Sequence, residues 1–150
     1  MKEIKFKVYL KKEDQFDIVD LIDFKNKVIK TETNKATKFE DAVLLSFTEL
    51  QDKNGIDIFE EDILKVYRED GSKYFCKVFF DHFDKSFKKS DAAGNVTELR
   101  SDLTDTYEVV GNMAASFAII AKSLENNEWK SQIFSKMKCP IIAVILLIEW

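Results

Sequence analysis

The sequence predicts an α+β protein that is mainly β: a small SH3-like or partly open β-barrel carrying C-terminal helices. Three observations predict it. Thirteen Phe and four Tyr against three Met favour a core of aromatic and β-branched side chains, which suits pleated surfaces better than helices. Two strong turn signals, Asp52-Lys53-Asn54-Gly55 and Glu69-Asp70-Gly71-Ser72, each separate runs rich in β-formers. Beyond Asn112 the apolar period lengthens from about two residues to about 3.6.

Taken in order, residues 2–10 read as a half-buried strand, because Lys2, Lys5 and Lys7 alternate with Ile4, Phe6 and Val8. A weaker strand follows the FKNK turn over residues 28–33. Between the two, Phe16, Val19, Leu21 and Ile22 also satisfy a short helix, and so short a segment leaves both readings open. AVLLSFTEL, starting at Ala42, leads into the turn formed by Asp52, Asn54 and Gly55, a structural turn because Asn and Gly tolerate positive φ. Ile56 and Ile58 flank Asp57 on its far side. Residues 62–80 form the clearest hairpin, with ILKVY and KYFCKVFF as its arms, and Phe83 and Phe87 extend that sheet. KKSDAAGN, residues 88–95, is polar and rich in turn formers, and is expected to be an exposed loop. TYEVV, residues 106–110, is a further strand.

Met113, Phe117, Ile120 and Leu124 then form one helical stripe with Asn112 placed to cap it. After Asn126-Asn127, a second helix carries Trp129, Ile133, Phe134 and Met137 and stops at Pro140. Residues 141–148 are an unbroken apolar run, a buried strand or an interface element. Eight residues fall well short of the roughly twenty that a membrane-spanning helix needs, so no membrane association is expected. The chain therefore divides into a β domain, residues 1–112, and a helical extension, residues 113–150, whose apolar tail packs on that domain or on another subunit.

Charge is unevenly distributed. Residues 1–38 carry ten lysines and seven acids, residues 39–110 nine bases and seventeen acids, and residues 111–150 four lysines and three acids. An acidic centre repels phosphate backbones and disfavours broad nucleic-acid binding. Cys76 and Cys139 are far apart and have no neighbouring His or Cys, so zinc-ligand spacing is absent. They are expected to be buried thiols in a reducing cytoplasm; the alternative is that the two pair in an exported protein. The N-terminal residues alternate charge and lack the apolar core of a secretory signal.

Chemistry-bearing residues are sparse. Asp57, Glu60, Glu61 and Asp62 cluster, but placing Gly55 at the sixth position of a calcium loop puts Leu50 at the first ligand, so structural turns are the better account. His82, between Asp81 and Phe83, has no nucleophile linked to it. Phosphate-cradling, dinucleotide and metalloprotease motifs are absent. No catalytic, metal or cofactor residues are assigned, and an enzyme is not expected. Phe83, Lys85, Phe87, Lys88 and Lys89 form a locally basic aromatic patch of the kind that stacks single-stranded bases, and are the candidate nucleic-acid contacts.

MKEIKFKVY at the N-terminus, FTELQDKNGIDIFEEDILKV in the centre and TYEVVGN later on resemble, in order and spacing, the YopX family of phage and prophage proteins. The resemblance covers residues 1–112 and is most specific at Asp52, Lys53, Asn54, Gly55, Ile58, Glu60, Asp62 and Ile63. Glu49 and Glu61 depart from it, standing where the family usually has Gly, so the turns there must be made without glycine. The family's usual Asn-Pro-Glu-Leu ending is replaced by the helical segment and apolar tail. The resemblance implies a small, largely β, phage-encoded protein made in a bacterial host, without an assigned activity or catalytic residues. The function expected is that of a non-enzymatic accessory protein in the host cytoplasm, homo-oligomeric and acting through contacts with a phage or host protein. The alternative is nucleic-acid binding in phage replication or gene control.

Overall fold

The computed structural model describes residues 4–115. Eleven strands are found among them: β1 (Phe6–Leu10), β2 (Gln15–Asp23), β3 (Val28–Thr31), β4 (Ala36–Lys38), β5 (Ala42–Gln51), β6 (Asp57–Phe59), β7 (Asp62–Tyr67), β8 (Lys73–Asp81), β9 (Ser86–Asp91), β10 (Val96–Glu98) and β11 (Tyr107–Asn112). Short 3-10 turns, Phe39–Asp41 and Ser101–Thr106, precede β5 and β11. The strands form two antiparallel sheets, ordered β4-β3-β2-β1-β5-β6 and β10-β9-β8-β7-β11. The fold is thus mainly β, as expected, and among the described residues the two sheets do not form a closed barrel. Residues 113–115 are helical. The rest of the expected C-terminal helices, Cys139 and the apolar run at 141–148 lie outside the described residues.

The open choice at residues 16–22 resolves as strand. Val19 pairs with Thr31 and Ile22 with Ile29, with a bulge between Val19 and Leu21. The extra residue puts Val19 and Ile22, three apart, on one face, and a spacing of three is what a helix would show. The predicted 62–80 hairpin forms as β7 and β8, with Leu64 opposite Cys76 and Val66 opposite Tyr74.

The expected exposed loop at 88–95 is corrected in its first half: residues 86–91 are β9, paired with β8 through Lys77–Ser90, Val78–Lys89 and Phe80–Phe87, whereas residues 92–95 form the turn that follows it. The polar composition concealed a strand whose inward positions continue from Phe87 through Lys89 to Asp91.

The main core lies on the inner face of the second sheet, where Ile58, Leu64, Val66, Cys76, Val78 and Tyr107 are buried and Leu50, Phe87 and Val109 pack against them. Burial pushes the Cys76 thiol up to about 12, so this cysteine is an inert core residue at neutral pH. A smaller core of Val8, Leu10 and Ile29 lies in the first sheet, against Val19, Phe39 and Ala42. Among the described residues no helix is long and apolar enough to cross a membrane.

Candidate functional site

The five residues of the basic aromatic patch do not share one surface. At the β8–β9 tip the Asp81 carboxylate accepts hydrogen bonds from the Phe83 and Asp84 amides (2.9 and 3.3 Å), and Lys85 takes a positive φ of 57° to close the turn. This pinned tip holds Phe83 outward, 95% exposed, beside the exposed Lys85. Phe87 turns inward, edge-on to Phe80 at 5.1 Å, and joins the main core. Lys88 is held by Asp81 at 2.8 Å, by Asp84 and by Glu98 at 3.7 Å; the hydrogen bond to Asp81, then that to Asp84, raise its pKa. Lys89 points to the opposite face of the strand and is only 6% exposed. His82 stacks edge-on to Phe80 at 5.0 Å.

Asp52, Asn54 and Gly55 build the turn between β5 and β6. Gly55 has φ +78° and its amide donates to the Asp52 carbonyl at 3.0 Å. One Asp52 carboxylate oxygen accepts the Asn54 and Ile56 amides at 2.8 and 3.0 Å, and the other accepts the Val109 amide of β11 at 2.9 Å. The turn is therefore also a clamp on a strand more than fifty residues away.

The neighbouring acids are separately occupied. Asp57 pairs with Lys5 at 2.7 Å, and that hydrogen bond holds its carboxyl below the usual range. Glu60 accepts the Ser46 amide at 2.9 Å, and Glu61 lies 3.6 Å from Lys77. Asp62 is fully buried; it accepts the Phe59 amide and the Asn112 side-chain amide, both at 2.8 Å, with Lys7 at 3.6 Å. Burial pushes its carboxyl up against the opposing pull of Lys7. Among the described residues no group of three such side chains is placed to hold a metal ion. These contacts join the three sequence blocks: Lys5 and Lys7 from the first, residues 52–62 from the second, Val109 and Asn112 from the third. Glu49 and Glu61, which replace the family's glycines, have φ of 68° and 67°.

A site that sequence reasoning missed lies at the other end of the second sheet. Arg68, Tyr74, Cys76, Lys89, Asp91, Asn95 and Thr97 line a cleft of about 200 Å³. A second cleft of about 500 Å³ shares Lys89 and Thr97 and is bordered by Lys88, Glu98 and Arg100. The Arg68 guanidinium stacks on Tyr74, 4.3 Å from the ring centroid. Burial lowers the pKa of Lys89, whereas hydrogen bonds from the Asn95 turn hold Asp91 below the usual carboxylate range. The usable sequence signal was alternation: once Phe87 faces inward, Lys89 and Asp91 must face inward too.

No curated protein sequence matches the chain. Two crystal structures share its fold. Protein EF1440 from Enterococcus faecalis superposes with a TM-score of 0.54 at 22% identity, covering 77% of this chain and 96% of that one. Protein yopX from Bacillus subtilis superposes with a TM-score of 0.52 at 21% identity, covering 73% and 91%. The family model described as YopX protein matches residues 2–115, the stretch in which the three sequence blocks meet around Asp52 and Asp62, and the chain belongs to that family.

Proposed function

We propose that the chain is a non-enzymatic accessory protein encoded by a phage or prophage, acting in the bacterial cytoplasm through contacts with another protein and with copies of itself. The five-stranded second sheet, with its β7–β8–β9 meander, is the part we read as SH3-like. The observation that carries the protein-contact reading is Phe83. A large aromatic side chain held almost fully in water by a turn that Asp81 pins has no role in the fold, and it suits the aromatic anchor of an interface. The nucleic-acid alternative has less support, because Lys88 already faces three carboxylates and Lys89 is buried.

The test compares tagged wild-type protein with Phe83→Ser, both recovered from prophage-bearing cells. Burying a Phe contributes roughly 1.5–3 kcal/mol, so the variant should bind the co-purifying protein about ten- to a hundredfold more weakly. Its melting temperature should not change, since Phe83 makes no core contact. Equal recovery of the same partner by the variant would remove Phe83 from the interface.

A further inference from the structure

Lys89 occupies a position where the fold calls for an apolar side chain. It pairs with Val78 on one side and Thr97 on the other, on the face that also carries Leu64, Val66 and Cys76. Its ammonium donates to the Thr97 hydroxyl and, at 3.5 Å, to the Glu98 carbonyl. Among the described residues it forms no ion pair. Burying a cation with only neutral acceptors is unfavourable, and a methionine there would serve the fold better. Arg68, which lines the same cleft, likewise forms no ion pair among the described residues; its guanidinium carbon lies 4.3 Å from the Tyr74 ring centroid, and Ser72 is its hydrogen-bond acceptor at 3.4 Å. Asp91 also lines the cleft, but the Ala93 and Asn95 amides (3.0 and 2.9 Å) and the Asn95 side chain (3.1 Å) engage its carboxylate. Both cations thus line one cleft with no carboxylate at ion-pair distance among the described residues, and Asp91 and Asp70 act on Lys89 and Arg68 only at longer range.

We propose that this cleft binds the phosphate group of a small ligand, inorganic phosphate or a phosphomonoester, between the Lys89 ammonium and the Arg68 guanidinium. Thr97 positions the ammonium, and the Tyr74 ring backs the guanidinium, whose planar fork of donors can grip two phosphate oxygens at once. The larger cleft sharing Lys89 and Thr97 takes the organic part of a phosphomonoester. Arg100 on its border is already paired with Asp102 at 2.6 Å, so the phosphate group belongs in the smaller cleft.

The experiment titrates the full chain with inorganic phosphate, glycerol phosphate and acetate at ionic strength matched with chloride, following amide NMR shifts. Saturable shifts at Arg68, Lys89, Asn95 and Thr97 are expected for both phosphates, with a dissociation constant of about 1 mM or below, and none for acetate. Tighter binding of glycerol phosphate would identify a phosphomonoester as the ligand; equal binding would identify free phosphate. Lys89→Met should weaken binding by about tenfold or more while its melting temperature holds or rises. Arg68→Gln, at an exposed position, should weaken binding similarly and guards against a folding failure of the first variant. Absence of saturation in the wild type, or unchanged binding in either folded variant, would overturn the proposal.

Discussion

Glu49 and Glu61 hold backbone conformations that ordinary side chains avoid. A left-handed φ costs an L-residue roughly 1–2 kcal/mol, and glycine avoids most of that at the expense of greater freedom in the unfolded chain. Both positions are fixed by their surroundings. Glu49 lies in the irregular register between Phe47 and Gln51, and Glu61 donates its amide to Val78 and accepts that of Met113 at 2.9 and 2.7 Å. Glu49→Gly and Glu61→Gly should therefore each stabilise the protein by about 0.5–1 kcal/mol. The second also loses a partly exposed pair with Lys77, which is worth little. Urea denaturation measures both; a lower midpoint in either variant would show that the backbone there is unstrained. The sequence pointed to these two residues through their departure from the family pattern. Lys89 was not legible in the same way, because a polar strand residue signals exposure unless the orientation of its neighbours is already known.

Among the elements, those specified locally were the legible ones. The β7–β8 hairpin could be read because β-formers and an Asp-Gly turn act within twenty residues of one another. The β2 strand was ambiguous because its bulge imitates helical spacing, and β9 was legible at Phe87 but not over residues 88–91, where its inward face borders a polar cleft instead of a uniformly apolar core. The β5–β6 turn was read as a turn, but its second role was not, since the Val109 amide that Asp52 accepts comes from the far end of the chain. That role can be measured. Asp52 is buried and accepts three backbone amides, and removing their shared acceptor exposes each donor to a desolvation penalty. Asp52→Ala should cost about 3–5 kcal/mol, less than the loss of three independent hydrogen bonds would sum to, because one side chain serves them all. Asp52→Asn keeps one acceptor oxygen and should fall between the two. A loss below about 1 kcal/mol for the alanine variant would mean that the turn and β11 are held by other contacts.

For the molecule as a whole, the two sheets meet where the three sequence blocks converge, so Asp52, Glu60 and Asp62, among the most specific residues of the resemblance, act as structural ties between distant segments. The described contacts continue one step past Asn112. Met113 is 5% exposed and donates its amide to the Glu61 carbonyl at 2.7 Å, and the Ala114 amide donates to the Asn112 side chain at 2.9 Å. A chain ended after Asn112 loses one buried Met and two hydrogen bonds, about 2–4 kcal/mol in all. A chain ended after Ala115 keeps them, and should unfold in a single cooperative transition at the higher midpoint of the two. The same pair of truncations bears on the proposed self-association, whose natural driver is the apolar sequence of residues 141–148. Light scattering should find a monomer for the chain ended after Ala115 and a larger species for the full chain. If the truncated and full chains have the same subunit number, any contacts between copies lie within residues 1–115, and the C-terminal segment has no part in assembly.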